Sequence, residues 1–199
     1  MAAQKHDDSL EKVAADVRGC PLCKLARTRK NAVPGEGQIS AQIMFIGEAP
    51  GRNEDEEGRP FVGAAGRILN DLLKKVGIER SQVFITNIVK CRPPNNRVPK
   101  EDELNACRPY LDRQIALIKP KVICILGRTA YSSLLGGSSI TANRGKIVVR
   151  GGQKYFLTFH PAAVIYNKGL LSALEADLKK LAAEINKEEQ SGASLEHYL

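Results

Sequence analysis

Short apolar runs separated by helix-spaced segments constrain this chain more than any other feature. Ile43-Met44-Phe45-Ile46 ends at Gly47, Val83-Phe84-Ile85 continues to Ile88-Val89, and Val122 to Leu126 is apolar throughout. Runs this short and this uniformly apolar suit strands buried on both faces. Between them, Ala65 to Val76 sets Leu69, Leu72, Leu73 and Val76 on one helical face and stops at Gly77, a C-terminal helix signal. A second helical segment follows Pro99, with Leu104, Leu111, Ile115 and Ile118 inward. A kink or restart is expected there at Pro109, whose ring removes a backbone donor. Leu171, Leu174, Leu178, Leu181 and Ile185 stripe a last helix, and Leu10, Val13, Ala14 and Val17 a short first one leading into Cys20. Gly151-Gly152, between Lys146–Arg150 and Tyr155–Phe159, reads as a hairpin turn. The alternation predicts an α/β fold: a three-layer α/β/α sandwich about a central, mostly parallel sheet.

At 199 residues one domain is expected over 1–199, with a loosely ordered polar tail from about residue 188. No apolar stretch reaches the roughly 18 residues that span a bilayer, so a membrane role is not expected. The absence of a signal peptide and the odd cysteine count predict an intracellular, unsecreted protein without structural disulfides. A monomer is expected. Thirty Lys and Arg against 22 Asp and Glu give a net charge of +8, which favours polyanionic partners such as nucleic acid.

Four of the five cysteines form a pattern. Cys20-Pro-Leu-Cys23 is a CxxC, and its partners Cys91 and Cys107 are both expected in an Arg- and Pro-rich loop. Thiols at CxxC spacing aim two sulfurs at one centre, so the economical reading is a four-thiolate metal site. A redox CxxC usually follows a strand, whereas this one follows a helical pattern. Zinc and an iron–sulfur centre both accept four thiolates, and spacing alone leaves them level. Cys124, inside the run from Val122 to Leu126, reads as an inert buried side chain.

In parallel sheets ligands collect beyond the carboxyl ends of the strands. The unusual residues of this chain fall there: Gly47-Glu48-Ala49-Pro50-Gly51 after the first strand, Thr86-Asn87 late in the second, and His160-Pro161 after the last. The glycine-rich segment lacks the GxxxxGK[ST] of a phosphate-binding loop, and its carboxylates would repel phosphate.

These segments carry a resemblance. Gly47-Glu-Ala-Pro-Gly51, with Glu54-Asp55 and Gly58-Arg-Pro-Phe-Val-Gly63, resembles the first motif of the family 4, iron–sulfur uracil-DNA glycosylases. Thr86-Asn87-Ile-Val-Lys-Cys91-Arg-Pro-Pro is similar to that family's middle motif, and Phe159-His160-Pro161 to its last. The match runs in order from about residue 17 to 183. It implies a uracil-DNA glycosylase-like fold, a role in base-excision repair, and a [4Fe-4S] cluster on Cys20, Cys23, Cys91 and Cys107. The implied reaction is hydrolysis of the N-glycosidic bond of uracil in DNA, leaving an abasic site. The base must be flipped out or met in a single strand.

The resemblance also implies roles. Glu48 and His160 are the expected catalytic residues. Glu48 would orient water or stabilise the sugar cation, and His160 would donate to uracil O2. Asn87 would read the pyrimidine edge, Phe61 would stack on the base, and Glu54 would wall the pocket, with Ala49 and Pro50 beside them. Other uracil glycosylases place an aspartate where this sequence has Ala49, so the water-activating role does not transfer directly. Arg92, Arg97, Lys100, Arg108 and Lys168 are expected on DNA, with Lys90 grouped among the first four. The apolar residues between Ala162 and Lys168 would wedge into the gap left by the base. A uracil-DNA-binding protein with little or no turnover is the alternative, but Asn95 to Pro99 is short and has no His, unlike capture proteins. Leu195-Glu-His-Tyr198-Leu199 faintly resembles a sliding-clamp peptide without its leading Gln.

Overall fold

The computed structural model describes residues 8–196. Five strands, β1 (Ile43–Gly47), β2 (Phe84–Asn87), β3 (Val122–Leu126), β4 (Ile147–Arg150) and β5 (Gln153–Thr158), form one sheet in the order β2-β1-β3-β5-β4. The first four in that order pair in parallel, and β4 pairs antiparallel with β5 through the Gly151-Gly152 turn. Both turn glycines have positive φ, 57° and 81°. The register sets Gly47 beside Asn87, Phe45 beside Cys124 and Cys124 beside Phe156.

Alternation along the strands sorts the core into two halves. Met44, Ile46, Ile123, Ile125 and Leu157 face one side. They meet Val13 and Val17 of α1 (Leu10–Gly19), with Leu111 and Ile118 of α4 (Glu101–Ile118). Ile43, Phe45, Val122, Cys124, Leu126 and Phe156 face the other side. Leu69, Leu72 and Leu73 of α3 (Ala64–Lys75) cover them, together with Leu174, Leu178 and Leu181 of α8 (Leu170–Glu196). The expected three-layer sandwich is therefore what forms. Cys124 is fully buried at its centre. No helix among the described residues is long and apolar enough to cross a membrane.

Several local expectations give way to tertiary packing. Helix α4 runs unbroken through Pro109. Asn105, whose carbonyl loses its helical partner there, is exposed and open to water, while buried Cys107, Leu111, Gln114 and Ile118 hold the opposite face. Leu171 is 43% exposed, because Leu170 rather than Leu171 packs on the core in the first turn of α8. That helix continues to Glu196, past the start of the expected tail. Residues 197–199 and the side chains from 188 onward lie outside the described residues, and the clamp-like peptide with them. Four helices escaped the periodicity reading: α2 (Arg52–Glu57), α5 (Arg128–Leu135), α6 (Ile140–Asn143) and α7 (Ala163–Tyr166). Three have six residues or fewer, too short for a repeating stripe to appear.

Candidate active site and cysteine-lined cavity

From β1 the chain crosses through α3 to β2 on one side, while β3 leads through α5 and α6 to the β4–β5 hairpin on the other. Such a reversal opens a crevice at the carboxyl edge. A cleft of about 440 Å³ lies there, lined by the β1 loop, the end of β2 and the segment after β5. Glu48, Ala49, Pro50, Glu54, Phe61, Asn87 and His160 all line it, so every base-site residue expected from sequence comes together.

Asn87 is 2% exposed, and its Oδ1 is buried without a hydrogen-bond partner. A buried amide oxygen left unpaired costs about 1–3 kcal/mol, so this acceptor points to a missing donor. Its close approach to the sheet needs Gly47: a Cβ there would sit 2.4 Å from Asn87 Oδ1 and 2.8 Å from Phe61 Cζ.

The Phe61 ring stacks with the His160 imidazole at a centroid separation of 5.5 Å. Phe61 has φ of 51°, a left-handed conformation that costs a bulky residue about 1–3 kcal/mol. Surrounding bonds hold it there. Arg80 donates to the carbonyls of Phe61 and Pro60, at 3.4 and 2.7 Å. Glu54 Oε1 accepts from the N–H groups of Val62 and Gly63, and its Oε2 from Gly51 N–H. Glu54 is thus a brace joining the two halves of the first motif as well as part of the cleft wall. Gly66 completes the clamp, since a Cβ there would overlap the Phe61 carbonyl.

His160 Nδ1 accepts a hydrogen bond from Ala162 N–H at 3.1 Å. In the neutral ring the proton then resides on Nε2. Burial pushes the His160 pKa down to about 4, opposed by the Glu54 carboxylate. The residue keeps partial exposure toward the cleft, so a neutral donor remains reachable. Glu48 is half-buried beside it in the lining, and its carbonyl accepts from Val89 N–H.

A second, small cavity is walled by Cys20, Cys23, Cys91 and Cys107 with Val17, Val89, Ala106 and Tyr110. Cys20 caps the end of α1 and Cys91 lies four residues past β2, but Cys107 is on the buried face of α4 and not in the expected loop. Donors already face three sulfurs: Leu22 N–H to Cys20, Arg29 Nη1 to Cys91 at 3.0 Å, and Lys90 N–H to Cys107 at 3.2 Å. Burial raises the pKa of both the Cys91 and Cys107 thiols, the latter to about 11. Among the described residues no three His, Cys, Asp or Glu side chains close on one ion position; the four thiols surround a cavity instead.

Comparison with known proteins settles the family. The model for the uracil DNA glycosylase superfamily matches residues 34–186. The chain belongs to that superfamily. It is 58% identical to a type-4 uracil-DNA glycosylase of Sulfurisphaera tokodaii, over 87% of this chain and 84% of the relative. The type-4 uracil-DNA glycosylase of Saccharolobus solfataricus is 52% identical over 87% of this chain and 85% of its own length. That of Thermotoga maritima is 44% identical over 92% and 98%.

On this superfamily member the expected DNA-binding residues are more scattered. Lys100 and Lys168 are exposed. Arg92 donates to Asn96 Oδ1, and Arg108 pairs with Asp112 on the surface of α4. Arg97 lines the cleft, but Glu103 holds its guanidinium in a two-pronged ion pair, at 2.8 and 2.6 Å. Lys90 is not a surface residue at all: it is 1% exposed, with its ammonium inside the protein. Its place beside Cys91 suggested a basic loop, yet the chain turns it inward. After His160, Ala162, Ala163 and Tyr166 line the cleft, and Tyr166 is 90% exposed at its rim. Pro93 and Asn96 line it too, a role that only the fold of the β2–α4 connection could disclose. The bracing role of Arg80 had no sequence signal.

Proposed function

We propose that this protein is a type-4 uracil-DNA glycosylase that excises uracil from DNA and leaves an abasic site. The unpaired Asn87 Oδ1 in the cleft lining carries the reading. Uracil offers an N3–H donor next to its O4 acceptor, and a single amide matches both, its oxygen taking N3–H and its NH2 giving to O4. Cytosine presents the opposite pattern and would leave both buried groups unsatisfied. Phe61 supplies a face for the everted ring.

In the reaction the N1–C1′ bond breaks with its electron pair on the base, and positive charge grows on the sugar. His160 Nε2–H donates to uracil O2 as negative charge gathers there, a neutral donor fixed before the reaction begins. Glu48 stabilises the sugar cation and orients the water whose oxygen bonds C1′. The proton lost by that water reaches the departing base through solvent. Ala49 carries no acid, so Glu48 is the carboxylate assigned to this face. Tyr166 and Ile165, both exposed after His160, fit the gap left by the base, and Lys100 and Lys168 fit the phosphates.

Cys20, Cys23, Cys91 and Cys107 would hold a [4Fe-4S] cluster. The donor set supports this: four thiols surround a cavity, and N–H and guanidinium donors face three of the sulfurs, as suits anionic thiolates. The cluster, when bound, would tie α1, the β2–α4 connection and α4 together.

Incubation with a uracil-containing oligonucleotide should yield alkali-labile abasic sites, with thymine and cytosine strands left intact. Intact uracil strands would refute the activity. The purified protein should be brown, with iron and sulfide in equal amounts; a colourless zinc protein would refute the cluster while leaving the glycosylase reading in place.

A further inference from the structure

Among the described residues Lys90 is the largest charged side chain sealed inside the fold, and the groups that its ammonium bonds are neutral. Nζ lies 2.5 Å from Thr86 Oγ1, 2.9 Å from the Asn87 carbonyl and 2.7 Å from Gln114 Oε1. Gln114 is oriented for this by its own Nε2, which donates to the Pro34 carbonyl at 2.7 Å, and Thr86 donates to the same carbonyl at 3.0 Å. Three acceptors use all three ammonium protons, so the geometry is that of a charged group. An interior charge without a counter-charge is strongly disfavoured. The cysteine cavity, which Lys90 itself helps to line and where its backbone N–H meets Cys107 Sγ, would supply that counter-charge once its thiols are thiolates on the cluster.

We propose that Lys90 is a positioning residue that links the metal site to the base-reading amide, its charge balanced by the thiolate centre while its ammonium fixes the backbone of Asn87. The link is one residue wide. Its backbone touches a metal-ligand sulfur, its side chain touches the residue that reads the base, and both contacts come from the same buried position. The proposal rests on the glycosylase and cluster assignments above. It goes beyond them in giving the cysteine site an electrostatic and geometric role in recognition, where a simple staple would need no interior cation.

The test compares iron-loaded wild type with Lys90→Met and Lys90→Gln, reading iron content, the reduction potential by film voltammetry, and single-turnover excision of uracil. Loss of a nearby cation makes an anionic centre harder to reduce, so both variants should shift the potential to more negative values. Lys90→Met should excise at least tenfold more slowly. Lys90→Gln, which keeps a donor for the Asn87 carbonyl, should recover much of that rate while its potential stays shifted. A Lys90→Met protein with wild-type potential, or with a rate within twofold of wild type, overturns the proposal. Should Lys90→Met fail to accumulate, Thr86→Val and Gln114→Leu each remove one ammonium contact and retain the charge. Both should slow excision severalfold without moving the potential, and wild-type rates in both overturn the proposal. Failure of wild type to excise uracil would instead refute the function itself, so the two results are distinct.

Discussion

At the scale of single residues, the proposed function divides the work between Asn87, for recognition, and His160, for chemistry. Asn87→Asp exchanges a donor for an acceptor and sets a carboxylate against uracil O4. With about 1–3 kcal/mol for each buried group left unsatisfied, uracil excision should fall on the order of 10- to 100-fold. The preference for uracil over cytosine should narrow, and single-turnover rates on paired oligonucleotides measure both. His160 makes a pH prediction. Its folded pKa of about 4 lies below the unfolded value near 6.5, so on acidification the unfolded chain takes up this proton first. Its contribution to stability is therefore constant above pH 6.5 and declines as pH falls toward 4. His160→Gln should flatten that part of a denaturation profile. Excision by wild type should show no limb near pH 6.5 that this substitution abolishes; such a limb would mean that the imidazolium is the working form.

At the scale of elements, the site depends on close approaches that side chains would prevent. Gly47 ends β1 directly beside Asn87 and Phe61, and Gly66 lets α3 start against the Phe61 carbonyl. Gly47→Ala should therefore displace the amide and the ring together. We expect a stability loss of about 1–3 kcal/mol, typical of overpacking, with excision falling at least tenfold in protein that still folds. Denaturant midpoints and rates from one preparation check this. The β2–α4 connection serves two sites: Pro93, Asn96 and Arg97 face the cleft, while Lys90 and Cys91 face the cysteine cavity. Glu103, nearly buried at the start of α4, holds this connection by accepting from Arg97 and from Lys100 N–H. Arg97 is thereby pulled from a phosphate-binding role toward a structural one.

At the scale of the whole molecule, the charge of +8 predicts binding governed by released counterions. With about four phosphate contacts, affinity for duplex DNA should fall with salt at a logarithmic slope of about −4. Lys168→Gln should reduce that slope by about 1 and leave base preference unchanged, whereas Arg97→Gln should destabilise the fold more than it alters the slope. Equilibrium titrations at several salt concentrations separate the two outcomes.

The two-faced sheet, the helices over it and the cleft at the carboxyl edge were legible in the sequence, because apolar periodicity and strand-end motifs are local signals that packing rarely reverses. Glu48, Asn87 and His160 were legible for the same reason, since each ends or follows a strand, whereas Glu54 and Phe61 were placed with them only by the family resemblance. Other features were decided only by the tertiary structure. Which cation is surface and which is core, as for Lys90, depends on where a turn points a side chain. Whether Pro109 breaks a helix depends on what the opposite face buries. That Asn87 keeps an unpaired oxygen depends on every neighbour at once, because hydrogen-bond satisfaction is a property of a three-dimensional shell and leaves no trace in the order of residues.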